Sequence, residues 1–168
     1  NPFKKWSDIN SSLPEIDIDV LAPPPSSGTR DAFVELVLHD VCKSKYKMDK
    51  KTYKKNCSAL REDGFVTEVG ENDNLIIEKL TDNSERFGIF GFSFLDQNRD
   101  RVQGSFVDGI EPTFDNIADG SYKVSRPLYF YVKKEHIGVV PGIEDYTDYF
   151  MSLSIEGGPL EDAGLIPN

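Results

Sequence analysis

Residues 16–38 constrain the fold more than any other stretch of the chain. Ile16-Asp17-Ile18-Asp19 alternates apolar and acidic residues, and Val20-Leu21-Ala22 then turns wholly apolar, the pattern of a strand entering a sheet. Pro23-Pro24-Pro25-Ser26-Ser27-Gly28-Thr29 follows. The next residues place Phe33, Leu36 and Val37 on one face of a helix. The order is strand, small polar loop, helix, with a glycine where the helix begins. Further strand-like and helix-like segments alternate along the chain without an internal repeat, so the expected class is α/β.

At 168 residues the chain has the length of one ordinary domain, or of one and a piece. An apolar share of 38%, with 11 Phe and 7 Tyr, supplies a packed core and argues against disorder. The net charge of −10 speaks against a general nucleic-acid binder, because phosphate backbones are held mainly by Lys and Arg. No apolar run approaches the roughly 20 residues of a membrane helix. The chain opens Asn1-Pro2-Phe3 without an initiator methionine, which leads us to expect that processing, such as removal of a signal peptide, or fragmentation has taken something away.

His39, His136, Cys42 and Cys57 have no zinc-ligand spacing, so neither a metal nor a cofactor is expected. The two cysteines lie 15 apart and can be a disulfide or two free thiols. Tyr53, Cys57 and Leu60 fall on the buried stripe of a short helix, and a helix pair joined by a short loop could bring the sulfurs together. Between them, residues 43–55 hold seven lysines against the single Asp49, the composition of a solvated helix face.

Downstream, a strand is expected over 65–69, a helix over 75–80 after the turn at Gly70-Glu71-Asn72-Asp73, and an aromatic strand over 88–94. A strand near 105–107 precedes the Asp108-Gly109 turn, and Thr113 starts a single helical turn that ends near Gly120. Residues 127–133 alternate Leu128, Phe130 and Val132 against Tyr129 and Tyr131, a strand with two coverable faces. Ile143, Tyr146, Phe150 and Leu153 mark an amphipathic helix stopped by Gly157-Gly158, and Pro159 starts a last short helix ended by Gly164.

The chemistry concentrates at Ser27-Gly28-Thr29. A helix start has unpaired N–H groups and a partial positive charge, so it can hold an oxyanion without a lysine. Gly28 lets the backbone approach, Ser27 and Thr29 add hydroxyls, and Arg30 could add a bidentate charged contact. Helix capping alone also explains a serine here. No Gly-x-Ser-x-Gly elbow surrounds it and no base is placed beside it, which disfavours covalent catalysis.

Together, Trp6-Ser7-Asp8-Ile9-Asn10, Ser27-Gly28-Thr29-Arg30-Asp31-Ala32-Phe33, Gly88-Ile89-Phe90-Gly91-Phe92, Asp108-Gly109-Ile110-Glu111-Pro112-Thr113, 120–129 and Gly164-Leu165-Ile166-Pro167 resemble successive landmarks of one family. It is that of the phosphate-binding proteins of bacterial ABC phosphate transporters (PstS-type). The resemblance implies a type II periplasmic binding protein fold, with two α/β lobes around a cleft. This chain would supply one complete lobe, a mixed sheet flanked by helices, and the C-terminal part of the other. Residues 1–13 would be the first crossover at the end of lobe I, 14–122 lobe II, and 123–168 the return crossover and the C-terminal part of lobe I.

By the same resemblance Ser27, Gly28 and Thr29 bind inorganic phosphate, the protein is periplasmic and not an enzyme, and its partners are the permease subunits of the transporter. A periplasmic site also favours a Cys42–Cys57 bridge. The alternatives are a receptor for another tetrahedral oxyanion, such as sulfate, and a phosphatase-like enzyme using Ser27 or Thr29. Two departures stand out. Family members often carry an arginine four residues before the serine, where this chain has Pro23, which makes Arg30 the candidate guanidinium. They are also about twice as long, and the carboxylate that rejects sulfate belongs to the N-terminal half of lobe I. An N-terminal fragment, or another copy, is therefore expected to cover Leu128, Phe130, Tyr146 and Phe150.

Overall fold

The computed structural model describes residues 2–39, 41–42 and 56–167. The chain divides into two compact units, Asn1–Gly104 and Ser105–Asn168.

In the first unit, α1 (Trp6–Ile9) leads into β1 (Val20–Ala22), and α2 (Gly28–Phe33) continues through a π-helical turn at Val34–Leu38. β2 (Val66–Glu68), α3 (Asp73–Asp82), β3 (Phe87–Gly88) and α4 (Phe92–Asp96) follow. The three strands form a sheet in the order β2-β1-β3. Both pairings are parallel, with Val20 opposite Val66 on one side and Phe87 on the other. Parallel pairing requires long crossovers, and a helix lies in each: α2 between β1 and β2, α3 between β2 and β3. The antiparallel component of the expected mixed sheet is confined, in the described part of this unit, to an isolated bridge between Lys5 and Asp17.

The core lies where α3 packs on the sheet. Leu21, Val69 and Ile76 form it, with Leu80 and Phe90 against them, and Ile76 is completely buried. Asn72 caps α3 by accepting the Asn74 N–H at 3.0 Å, so the helix begins where the turn residues place it. Gly88 is required by this packing: a Cβ there would stand 2.7 Å from Cγ2 of Ile76 and 2.9 Å from Cδ1 of Leu80. Trp6 stacks on Phe87 with ring centroids 4.7 Å apart, which holds the N-terminal segment against the β3 edge.

The aromatic strand expected over 88–94 is corrected. The ladder ends at Gly88, and the chain turns at Gly91 into α4, where the Phe94 and Leu95 N–H groups donate to the Gly91 carbonyl. Burial of Leu95 on a helical face replaces alternation as the organising pattern. The lysine-rich residues 43–55, with Tyr53 of the expected second helix, lie outside the described residues.

In the second unit, a tight turn at Asp108-Gly109, both with positive φ, is closed by reciprocal hydrogen bonds between Val107 and Ile110. The strand expected near 105–107 is reduced to that single bridge. Thr113 caps α5 (Phe114–Ala118) through the Asn116 N–H, α6 spans Ile143–Ser152, and α7 spans Pro159–Asp162. Residues 127–133 do not form the expected strand. Among the described residues, 127–132 have no backbone hydrogen-bond partner to form a ladder with.

Candidate functional site

Because β1, β2 and β3 run parallel, the loops that leave Ala22, Glu68 and Gly88 emerge at the same edge of the sheet. In open α/β folds this carboxyl edge is where ligands bind. The loop after β1 is the Pro-Ser-Gly-Thr stretch. Ser27 is the N-cap of α2, with its Oγ accepting the Thr29 N–H at 3.2 Å, and its carbonyl accepts the Asp31 N–H. Gly28 is exposed, and Ser27 and Thr29 are half-buried. An added Cβ at Gly28 would meet nothing within 4 Å, so the space over the tip is open. The three residues read from the sequence thus share the first turn of one helix, on the surface.

Arg30 takes a different direction. It is only 8% exposed, and its Nη1 donates to the Pro23 carbonyl at 3.0 Å and to Oε1 of Glu68 at 3.1 Å. The guanidinium therefore braces the first residue of the loop against the end of β2. The position that carries arginine in the resembling family is the very residue whose carbonyl Arg30 holds.

Three carboxylates that sequence reasoning did not single out border this edge. Glu68 pairs with Arg30, and Glu71 accepts the hydroxyl of Ser26. Asp73 is buried and accepts the Gly91 N–H at 3.2 Å, tying the start of α3 to the start of α4. Burial pushes its carboxyl above the ordinary carboxylate range, with the Gly91 hydrogen bond pulling the other way. Glu68 ends β2, Glu71 lies in the loop after it and Asp73 opens α3, so only the strand register brings the three to this edge. Among the described residues no cluster of three or more His, Cys, Asp or Glu could hold a metal ion.

Cys42 and Cys57 form a disulfide, with Cα atoms 6.0 Å apart. Cys57 is buried, and beside it His39 Nε2 and Ser58 Oγ lie in hydrogen-bonding contact at 2.9 Å. The bridge ties the helical residues 41–42 to the segment at Cys57. Among the described residues no helix is long and apolar enough to cross a membrane.

Comparison with known proteins agrees with this architecture. The family described as the PBP superfamily domain matches residues 3–154. The phosphate-binding protein PstS of Staphylococcus haemolyticus (strain JCSC1435) is 32% identical, over 97% of this chain and 46% of its own length. That of Staphylococcus aureus (strain USA300) is 28% identical, over 97% of this chain and 44% of its own. The crystal structure of a possible phosphate binding protein from Planctomyces limnophilus superimposes with a TM-score of 0.61 at 23% identity, covering 90% of this chain and 49% of that one. PstS from Borrelia burgdorferi does so with a TM-score of 0.56 at 18% identity, covering 89% and 52%. These structural likenesses show the fold, and the chain spans about half the length of the proteins it matches. With an α/β fold and a match over nearly its whole length, the chain belongs to the PBP superfamily domain family.

Proposed function

We propose that this chain is part of the substrate-binding component of an ABC phosphate importer, which captures inorganic phosphate and delivers it to the permease subunits. The observation that carries the reading is the Ser27-Gly28-Thr29 tip, with open space over Gly28, at the carboxyl edge of a parallel sheet, in a chain whose relatives bear the name phosphate-binding protein. Phosphate oxygens accept hydrogen bonds from the Ser27 and Thr29 hydroxyls at the helix start, where the dipole favours negative charge. Arg30 supplies the guanidinium, which fixes the Pro23 carbonyl at the root of the loop while Glu68 pairs with its charge.

In this reading 14–122 is lobe II, residues 1–13 and 123–168 belong to the crossovers and lobe I, and an N-terminal fragment completes lobe I. Contacts to both lobes favour the closed form, so capture is a shift between two states. The protein transports without catalysis and works in the periplasm, a setting that the Cys42–Cys57 disulfide suits.

The test is calorimetry with phosphate, sulfate and molybdate on the protein completed by the missing part of lobe I. Phosphate binding that sulfate does not displace supports the reading. Tighter sulfate or molybdate binding reassigns the cargo, and turnover of a chromogenic phosphate ester that Ser27→Ala abolishes makes the protein an enzyme.

A further inference from the structure

The sequence contains three Asp-Gly steps, Asp63-Gly64, Asp108-Gly109 and Asp119-Gly120, and all six residues are exposed. At such a step a carboxyl group is open to attack by the next main-chain nitrogen, because glycine puts no side chain in the way. The structure treats the three differently. Both oxygens of Asp63 are held by Arg61, whose Nε and Nη2 donate at 2.6 Å, and this pairing keeps the carboxyl below the ordinary carboxylate range. Asp119 accepts the Ser121 N–H at 2.8 Å, and hydrogen bonding by Ser121 lowers its carboxyl too. The Gly120 N–H is committed to the Ile117 carbonyl at 3.2 Å. Among the described residues the Asp108 carboxylate has no hydrogen-bond or ion-pair partner, and the Gly109 N–H donates to none.

We propose that Asp108 is a site of spontaneous covalent modification, at which the main chain converts to an isoaspartyl linkage. The Gly109 nitrogen attacks Cγ of the neutral Asp108 carboxyl: an N–Cγ bond forms, a Cγ–O bond breaks, and the amide proton and the hydroxyl leave as water. Water then opens the five-membered imide at either carbonyl. Opening at Cγ restores aspartate, and opening at the main-chain carbonyl leaves the chain running through the β-methylene. An ionised carboxylate is a poor acceptor of a nucleophile, so Asp63 and Asp119, held in the charged form, are the slower sites. Ring closure also requires the turn to open. Asp108 has φ 51° and Gly109 φ 81°, both positive as a type I′ turn requires. Left-handed backbone is unfavourable for a residue with a Cβ, so opening releases Asp108 from it. What resists opening is one isolated bridge, the reciprocal bonds between Val107 and Ile110 at 2.9 Å. The product carries one more methylene in the main chain, which puts Val107 and Ile110 out of register. Nothing in this chemistry depends on a bound ligand.

Incubation of the chain in heavy-oxygen water under warm, mildly acidic conditions reads the reaction, because each opening of the imide by water leaves a heavy oxygen at that residue. Peptide mapping gives the label at each of the three aspartates, and a protease that cuts before aspartate but not before isoaspartate gives the product. Expected are label and isoaspartate at Asp108 roughly tenfold ahead of Asp63 and Asp119 in the folded chain, where local partners set the rates. In urea, where Asp63 and Asp119 lose those partners, the three should label comparably. Equal labelling of the three in the folded chain overturns the proposal. So does a folded chain without label at Asp108, since the turn would then shield the step. A lead of Asp108 that persists unchanged in urea would trace the preference to the neighbouring sequence and overturn the structural assignment as well.

Discussion

Arg30 and Glu68 meet at 3.1 Å, the first with its guanidinium buried and the second with half its side chain in water. The pair joins the helix that follows β1 to the end of β2, and a second bond from the same nitrogen holds the Pro23 carbonyl. Its two members are not equivalent. Removing the arginine head abandons a buried carbonyl as well as the carboxylate, whereas removing the charge on Glu68 leaves Arg30 its bond to Pro23. Arg30→Met should cost about 2–3 kcal/mol, the scale of hydrogen bonds to a charged group. Glu68→Gln should cost under about 1 kcal/mol, as exposed pairs do. Urea midpoints of the two variants check the asymmetry, and equal losses would contradict it.

At the tip, one hydroxyl serves the fold and the other does not. Ser27 Oγ accepts the Thr29 N–H, so Ser27→Ala loses a cap worth about 1 kcal/mol as well as a ligand contact. Thr29→Val leaves that cap in place. In the completed protein each should weaken phosphate binding by roughly ten- to a hundredfold, from about 1.5–3 kcal/mol per lost hydrogen bond to a charged ligand. Only Ser27→Ala should lower the thermal midpoint. Calorimetry and melting curves on both variants separate the roles, and unchanged affinity in both places the site elsewhere.

What the sequence discloses and what it conceals follows from how local each cause is. The Ser27 cap, the Asn72 cap of α3, the Thr113 cap of α5 and the span of α6 are legible because a side chain and its own backbone neighbours decide them. The turn at Gly91 is not: Gly88-Ile89-Phe90-Gly91-Phe92-Ser93-Phe94 reads as a strand, and only the ladder ending at Gly88 and the burial of Leu95 make its second half a helix. Arg30 is legible as a charge beside the tip but not in its direction, which depends on a carboxylate 38 residues away. The pattern of 127–133 expresses only a preference for strand, and a strand is a relation between segments: among the described residues no other segment pairs with it.

Gly88 shows how tightly α3 is seated. A methyl group at that position meets Cγ2 of Ile76 and Cδ1 of Leu80 inside van der Waals contact, and Ile76 is completely buried. Gly88→Ala should therefore destabilise by about 1–3 kcal/mol, the usual cost of overpacking. Gly28→Ala, with open space around the new methyl, should leave the packing of α3 undisturbed. Denaturation of the two variants side by side tests this, and a neutral Gly88→Ala would show that α3 can shift away from β3.

The disulfide joins Cys42 and Cys57, 15 positions apart in the sequence. Constraint of the unfolded chain by a loop of this size is worth roughly 3 kcal/mol in the chain-entropy model. Reduction with a thiol, or the Cys42→Ser/Cys57→Ser double variant, should lower the urea midpoint accordingly while circular dichroism retains the α/β signature. An unchanged midpoint after verified reduction would mean that the reduced chain keeps the two segments together by packing alone.

Asp73 sets the direction of the pH response at the sheet edge. Burial raises its carboxyl above the ordinary value of 3.8, so the folded protein holds this proton more tightly than the unfolded chain. Between 3.8 and the raised value the folded state carries more of the proton, and its stability falls as pH rises through that window. At neutral pH the ionised carboxylate is thus a cost that the Gly91 N–H offsets only in part. Asp73→Asn keeps an oxygen to accept that N–H and removes the charge. The variant should match the wild type near pH 3.5 and equal or exceed it at pH 7, in urea denaturation at both values. A variant that loses more stability at pH 7 than at pH 3.5 would show instead that the charged form of Asp73 holds the starts of α3 and α4 together.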